Sequence, residues 1–347
     1  MSTSPLHPAV AAPTDADRGK RITVVCCADD TYAMQLAVTA RSAIENLRGS
    51  HSTLHLYVVD GGIKPHSRQM LLDSVRSPRC VTQILEAPRC LVGDDIDAIS
   101  RSLGPNGRTI SKYISTAAFF RMLIPDLLPR EIDKAIYLDC DVVVRGDLEQ
   151  LWDTNMGDHC VLAAQDTWIN VVSDANGLLN YRELGLPSDA KYFNSGVLVL
   201  DLDAWREGGI CRQAMDYLRS HQAFVRWHDQ DVLNPILAGK WGQLDPRWNV
   251  NATSFYDFSK RRYRDWAQSG SLFPQNVYES MIRDPFIIHY VSHIKPWTSW
   301  STPREEEFWK YVDMTAWSGW RLTLARRLQG EVARRWKSIR NQQPNRQ

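Results

Sequence analysis

The sequence lacks the features that mark membrane-spanning, nucleic-acid-binding, zinc-binding and disulfide-rich proteins. No run of about 18 apolar residues occurs, so no segment is predicted to span a membrane. Lys and Arg (41) nearly balance Asp and Glu (40), so we expect no nucleic-acid partner. The seven cysteines include no Cys-x-x-Cys pair. This argues against a zinc site or a disulfide framework and predicts reduced cysteines in a cytoplasmic protein.

The chain of 347 residues is long enough for one sizeable domain with an appendage. Residues 1–20 are rich in Pro, Ala and Ser and predict a disordered lead-in, and residues 21–312 would form the main domain. Residues 313–347 are predicted as a basic, amphipathic helical tail, with eight Lys or Arg against one acidic residue from Arg321 onward. Such a helix could lie on an anionic membrane surface or pack on its own domain, and the pattern leaves both open.

Hydrophobic patterning predicts an α/β fold. The first 90 residues alternate strand, helix, strand, helix, strand, which is typical of a parallel sheet with helices on its faces. Two later helices are predicted, over Ser111–Leu123 (ending at Pro125) and over Asp203–Arg219. Later strands are predicted at Lys134–Val144, Cys160–Ala164, Phe193–Asp201 and Phe286–Tyr290.

The central stretch, Lys134–Val144, carries the strongest chemical signal. It places Asp139 and Asp141, separated by Cys140, at the carboxyl end of a buried strand, the edge where α/β sheets bind ligands. Two such carboxylates suit Mg²⁺ or Mn²⁺ completed by substrate phosphates. The alternative is that the aspartates cap the following turn.

Other polar residues at strand and helix ends are open to two interpretations each. Asp29 ends the first strand and could face a nucleotide or cap the next helix. Arg121 could bind a phosphate or form a surface salt bridge. His289 could be a metal ligand or a buried core histidine, and Lys295 could neutralise a phosphate.

Two polar clusters could face a sugar. Asn194 enters a strand through Asn-Ser-Gly, where glycine allows a close backbone approach and the amide can donate and accept; a simple turn is the alternative. Asp229 and Gln230 lie in His-Asp-Gln-Asp, and the alternative, which these residues taken alone favour, is a helix N-cap.

Taken in order, these motifs resemble glycosyltransferase family 8. The ordered set is a strand ending in Ala-Asp-Asp, then Phe-Phe-Arg, Leu-Asp-Cys-Asp, Phe-Asn-Ser-Gly, Asp-Gln-Asp and His-Tyr-x-Ser-x-x-Lys-Pro-Trp. The resemblance covers roughly residues 21–312. It implies a GT-A fold with a mainly parallel sheet, and a retaining transfer of galactose or glucose from a UDP-sugar to a hydroxyl of a glycan, lipopolysaccharide or other saccharide.

The resemblance also implies roles for individual residues. Asp139, Asp141 and His289 would hold Mn²⁺ or Mg²⁺. Ser292 stands where the family has glycine, so its backbone would have to adopt the same φ/ψ. Positions that would bind the nucleotide and diphosphate are Cys27, Ala28, Asp29, Thr31, Arg121, Cys140, Ser292 and Lys295. Positions that would line the donor sugar or the acceptor are Asp166, Asn194, Asp229 and Gln230.

Retention of configuration could arise in two ways. Gln230, expected on the far face of the sugar, is a poor nucleophile, so we favour front-face substitution over double displacement. Two rival functions remain. The central strand also resembles the nucleophile motif of haloacid-dehalogenase-type phosphatases, although there the motif normally begins the chain. A UDP-sugar-binding scaffold without turnover is the other.

Overall fold

A computed structural model of the chain describes residues 19–87, 116–258, 272–291 and 294–326. Several sequence predictions lie outside these ranges. They are the disordered lead-in (apart from residues 19 and 20), the loop at 90–110, Cys90, Ser292 and the tail beyond residue 326.

Seven strands form the central sheet, in the order β3-β2-β1-β4-β7-β6-β8. Strands β1 to β4 pair in parallel, β6 pairs in parallel with β8, and β7 runs antiparallel to β4 and β6. The predicted mainly parallel sheet is therefore confirmed. Its strands are β1 (Arg21–Ala28), β2 (Thr53–Asp60), β3 (Cys80–Glu86), β4 (Lys134–Leu138), β6 (Val161–Gln165), β7 (Phe193–Asp201) and β8 (Trp241–Gln243).

A second sheet of three short strands lies beyond β4, in the order β5-β10-β9. The apolar stretch that begins with β4 thus divides, and its last three residues join this second sheet. The interruption falls at Asp139, Cys140 and Asp141, between the two strands. The strands are β5 (Val142–Val144), β9 (Val250–Asn251) and β10 (Ile287–His289).

Helices cover both faces of the large sheet. Alternate side chains of β1 serve the two faces: Val25 and Cys27 belong to one hydrophobic core, and Val24 and Cys26 to the other. This two-sided burial explains why the strands read as continuous apolar runs. The helices are α1 (Ala33–Asn46), α2 (Pro65–Val75), α3 (Ile124–Leu127), α4 (Leu148–Trp152), α5 (Leu202–Glu207), α6 (Ile210–Ser220), α7 (Asp229–Ile236), α8 (Ser254–Phe258), α9 (Gln275–Arg283) and α10 (Glu305–Val312).

Two helix predictions were wrong in detail. The helix predicted to end at Pro125 is a 3₁₀ helix over Thr116–Leu123, after which α3 begins with Pro125 in its first turn. Proline needs no N–H partner in a first turn, so it starts this helix instead of ending one. The helix predicted over Asp203–Arg219 is two helices, α5 and α6, separated at Gly208 and Gly209, where Gly209 has a φ of 59°.

The beginning of the predicted tail packs on the domain. The backbone N–H of Ala316 donates to Ser74 Oγ over 2.9 Å. Within the tail itself, Arg321 forms an ion pair with Asp313 over 2.6 Å. Where the domain ends and the tail begins stays a prediction. Among the helices of the described ranges, none combines the length and apolar character needed to cross a membrane.

Candidate functional site

Three side chains with metal-binding atoms converge where the two sheets meet. Asp139 directly follows β4, Asp141 precedes β5, and His289 ends β10. The antiparallel pairing of β10 with β5 sets His289 opposite Val142, next to Asp141. His289 Nε2 lies 3.1 Å from Asp141 Oδ1 and 3.5 Å from Asp139 Oδ2.

The donor set fits a divalent cation. One ligand atom from each of Asp139, Asp141 and His289 lies within 4.8 Å of the other two. Two carboxylates and one imidazole suit Mn²⁺ well and Mg²⁺ less closely, since Mg²⁺ prefers oxygen ligands. Gly196 on β7 presses against this site, because a Cβ there would lie 2.2 Å from His289 Cε1 and 2.7 Å from Asp139 Oδ2. The close approach that the sequence predicted for this glycine is therefore made toward the candidate metal site.

Lys295 adds a positive charge beside the carboxylates. Its Nζ donates to Asp141 Oδ2 over 2.5 Å and also to the backbone carbonyl of Tyr290. Burial opposes ionisation of Asp141, but Lys295 and His289 together outweigh burial and hold the pKa of this carboxyl below its usual range. Asp141 is therefore an anion at neutral pH, ready to bind a cation.

Arg121 is a buried link between the candidate metal site and α7. It is 6% exposed and pairs with Asp139 over 2.8 Å and with Asp229 over 3.1 Å. Its Nη1 also donates to the carbonyl of Ser195 over 2.9 Å, and the guanidinium lies over the ring of Tyr137. The surface salt bridge considered from the sequence is wrong, because this pair lies in the interior.

Asp229 is buried, and its carboxylate is bonded to other side chains of the protein. Its Oδ2 accepts from Ser195 Oγ over 2.7 Å in addition to its contact with Arg121. Burial raises the pKa of Asp229 to about 6, against the opposing effect of Arg121. The cluster opens a short helix as predicted, but the carboxylate that accepts backbone N–H groups there, from Arg226 and Trp227, belongs to Asp231 and not to Asp229.

Asp166, Asn194 and Gln230 form one hydrogen-bonded cluster. Asp166 Oδ2 accepts from Asn194 Nδ2 over 3.0 Å and from Gln230 Nε2 over 3.1 Å. Its other oxygen accepts from the backbone N–H groups of Trp168 and Ile169. Gln230 Oε1 in turn accepts from the backbone N–H of Ser195. Three residues predicted to face a sugar are thus brought together, although they are far apart in sequence.

The residues predicted for the nucleotide lie at the end of β1. Asp29 caps the 3₁₀ helix that follows, with Oδ1 accepting from the N–H and the hydroxyl of Thr31. The cap interpretation is therefore confirmed for Asp29. Cys27 and Ala28 are buried, and Cys140 donates its thiol to the Cys27 carbonyl over 3.2 Å. Because β1 and β4 are parallel neighbours, Asp29 and Asp139 follow strand ends on the same edge of the sheet, as predicted.

Two residues of this site could not be identified from the sequence. Tyr137 lies inside an apolar strand, yet its hydroxyl donates to Asp139 Oδ1 over 2.7 Å. Asn249 lies in a short segment before β9 and hydrogen-bonds to both His289 and Asn194, each over 2.8 Å. Neither residue belongs to a recognisable motif, so only the folded chain identifies them.

Comparisons with known proteins point to one family. The family model described as glycosyl transferase family 8 matches residues 23–301. The chain is 30% identical over 299 residues to general stress protein A of Bacillus subtilis, covering 85% of this chain and 94% of that protein. It is 28% identical over 196 residues to lipopolysaccharide 1,2-glucosyltransferase of Escherichia coli (strain K12), covering 56% of this chain and 53% of that enzyme.

A solved structure shares the fold. The galactosyltransferase LgtC, crystallised with donor and acceptor sugar analogs, superposes with a TM-score of 0.66 at 24% identity, covering 85% of this chain and 96% of that one. This likeness confirms the GT-A fold expected from the sequence. With the family model matching most of its length, the chain belongs to glycosyl transferase family 8.

Proposed function

We propose that this glycosyltransferase moves a hexose, galactose or glucose, from a UDP-sugar to a hydroxyl of a saccharide acceptor, with Mn²⁺ as its metal ion. The observation that carries the proposal is the convergence of Asp139, Asp141 and His289 beside the cluster of Asp166, Asn194 and Gln230. The first group would bind the diphosphate through the ion, and the second would bind the transferred sugar.

Two parts of the site would stabilise the leaving diphosphate. The bound cation would act as a Lewis acid and a template for the departing UDP. Lys295, already beside Asp141, can place its ammonium against the same phosphate oxygens and add electrostatic stabilisation. Arg121 would hold Asp139 in position, and its proposed reach to the donor sugar or diphosphate stays a prediction.

Retention by front-face substitution is the mechanism that we infer. A double displacement needs a carboxylate or other nucleophile with a free lone pair aimed at the sugar. Asp229 is buried against Arg121 and Ser195, and both oxygens of Asp166 accept hydrogen bonds. Gln230 is an amide and a weak nucleophile. The leaving diphosphate would then help to remove the proton from the acceptor hydroxyl.

Nucleotide release from a panel of donors tests the function. UDP-galactose, UDP-glucose, other UDP-sugars and GDP-sugars would each be incubated with the protein, Mn²⁺ and a set of saccharide acceptors. We expect release from a UDP-hexose that needs the metal and is abolished in Asp141→Asn. UDP binding without release or transfer would instead favour the non-catalytic scaffold. A covalent sugar on Asp229 or Gln230, detected by mass spectrometry, would contradict front-face substitution.

The phosphatase alternative has a separate test. Incubation with a phosphate donor would leave phosphate on Asp139 if that residue were the nucleophile. We expect none, because Asp139 Oδ1 is held by Arg121 and Tyr137, and its other oxygen faces His289. Membership of the glycosyltransferase family also argues against this alternative.

We further propose that residues 327–347 bind the cytoplasmic face of an anionic membrane. Six of the eight basic residues from Arg321 onward lie in this segment. A reducing compartment is supported by the six described cysteines, all of which are free thiols. Deleting residues 327–347 should abolish binding to phosphatidylglycerol-containing vesicles while leaving soluble transfer intact. Unchanged vesicle binding would remove the membrane proposal.

A further inference from the structure

The imidazole of His289 has two nitrogens, and only one of them faces the paired aspartates. Nε2 is directed to Asp139 and Asp141, while Nδ1 lies 2.8 Å from Asn249 Oδ1. His289 is 3% exposed and Asn249 is 7% exposed, so water competes little for these bonds. A metal ligand needs a lone pair on the coordinating nitrogen, so the placement of the ring hydrogen decides whether His289 can bind an ion.

The orientation of two carboxamides determines that placement. The backbone N–H of Gly196 can only donate, and it donates to Asn194 Oδ1 over 3.0 Å. The Asp166 carboxylate, which accepts from Asn194 Nδ2, fixes the same orientation from the other end of the amide. The oxygen of Asn194 therefore points to Asn249, and Asn249 must present its NH₂ group there, over 2.8 Å.

The orientation of the Asn249 amide determines which ring nitrogen of His289 carries the hydrogen. With its NH₂ group turned to Asn194, Asn249 can offer only its oxygen to His289. An oxygen acceptor requires a hydrogen on Nδ1, which leaves Nε2 as the nitrogen for an ion between the aspartates. If Asn249 were absent, the neutral ring could carry its hydrogen on Nε2, with Asp141 as the acceptor 3.1 Å away. That hydrogen would occupy the ligand position.

We propose that Asn249 is a positioning residue that selects the Nδ1–H form of His289, and that the backbone N–H of Gly196 fixes Asn249 through Asn194. The same chain of bonds continues through Asn194 to Asp166 and Gln230, so one network links the candidate metal site to the candidate sugar site. This inference rests on the proposed function only in treating His289 as a metal ligand.

The primary test reads the ring hydrogen directly in the metal-free protein. The wild type, labelled with ¹⁵N in its histidine rings, should give a one-bond ¹H–¹⁵N correlation from Nδ1 of His289, identified by its loss in His289→Gln. In Asn249→Leu the hydrogen should move to Nε2. Asn249→Asp loses the donor to Asn194 but keeps an oxygen acceptor for Nδ1–H, so it should keep the hydrogen on Nδ1. A wild type with its hydrogen on Nε2, or an Asn249→Leu variant with an unchanged spectrum, would overturn the proposal.

Mn²⁺ affinity, measured by electron paramagnetic resonance, supplies the second readout. Asn249→Leu should raise the dissociation constant about 10- to 100-fold, with Asn249→Asp closer to wild type. Asn180→Leu is the matched control, since it removes another buried carboxamide, bonded to Tyr217, and should change neither readout.

If Asn249→Leu fails to fold, Asn194→Ala replaces it, because it frees the Asn249 amide to turn and should populate both ring forms. Failure of the wild type to bind Mn²⁺ would overturn the metal assignment, and the spectrum would still decide the role of Asn249.

Discussion

Nη2 of Arg121 lies 2.8 Å from Oδ1 of Asp139, so a buried arginine orients the first of the paired aspartates. The same guanidinium contacts Asp229 and the Ser195 carbonyl, which come from α7 and β7. One planar cation thus joins three separate segments of the site. A lysine carries the same charge but cannot make three bonds in this fixed geometry.

The first prediction concerns this arginine. Arg121→Lys should lower the free energy of unfolding by about 3 kcal/mol, because it leaves a buried carboxylate without its partner. It should also weaken Mn²⁺ binding by releasing Asp139. Urea unfolding and metal titration measure the two effects. Arg206→Lys is the control: Arg206 also donates to backbone carbonyls from a largely buried position, but it contacts none of the site residues. Equal metal affinity in both variants would contradict the orienting role.

The two aspartates should respond differently to neutralisation. Asp139→Asn should reduce both transfer activity and stability, the latter by about 2 kcal/mol, because Arg121 and Tyr137 both bond to Asp139. Asp141→Asn should abolish activity with a smaller loss of stability, since Lys295 is a flexible chain that can turn toward solvent. Denaturation curves and UDP-release rates for the two variants test this difference. Equal stability losses would show that the Arg121 pair adds nothing to Asp139.

Gly196 should tolerate no side chain. Gly196→Ala would drive a methyl group into the His289 ring and the Asp139 carboxylate, so we expect a loss in Mn²⁺ affinity of about 10- to 100-fold. The overpacking should also cost about 1–3 kcal/mol in the free energy of unfolding. Gly208→Ala, at the end of α5, serves as the control, because the added Cβ would lie 3.0 Å from its nearest neighbour, a backbone oxygen. Wild-type metal affinity in Gly196→Ala would show that the site can shift to make room.

His228 should make the fold sensitive to acid. Its side chain is buried, its backbone has a φ of 57°, and burial with the nearby Arg121 lowers its pKa from 6.5 to about 4. The unfolded chain therefore binds a proton between pH 6.5 and 4 that the folded chain does not, so stability falls as the pH falls through this window. From pH 7.5 to 5.0 we expect His228 to account for a loss of about 2 kcal/mol.

The comparison with His228→Gln isolates this contribution. Urea unfolding of both proteins at pH 7.5 and 5.0 gives four free energies of unfolding. The variant lacks the titrating ring, so its stability should fall less between the two pH values, while other titrating groups affect both proteins alike. Parallel pH dependence in the two proteins would rule out the assigned cause.

The sequence by itself determined the α/β class, the alternation of strands and helices over the first 90 residues, and the edge of the sheet at which the site forms. It did so because apolar runs ending in polar residues fix both a buried strand and its exposed end, as at Ala28–Asp29 and Leu138–Asp139. The ordered motifs also identified the family.

Only the tertiary structure decided how these residues are joined. The break between β4 and β5, the second sheet that sets His289 opposite Val142, and the buried position of Arg121 all depend on contacts between distant segments. Asn249 and Tyr137 could not be identified from the sequence for the same reason. A hydrogen bond to a residue 40 positions away, or one made from inside an apolar strand, leaves no local pattern in the sequence. Local patterns specify strands and their ends, whereas the geometry of a polar network exists only after the chain has folded.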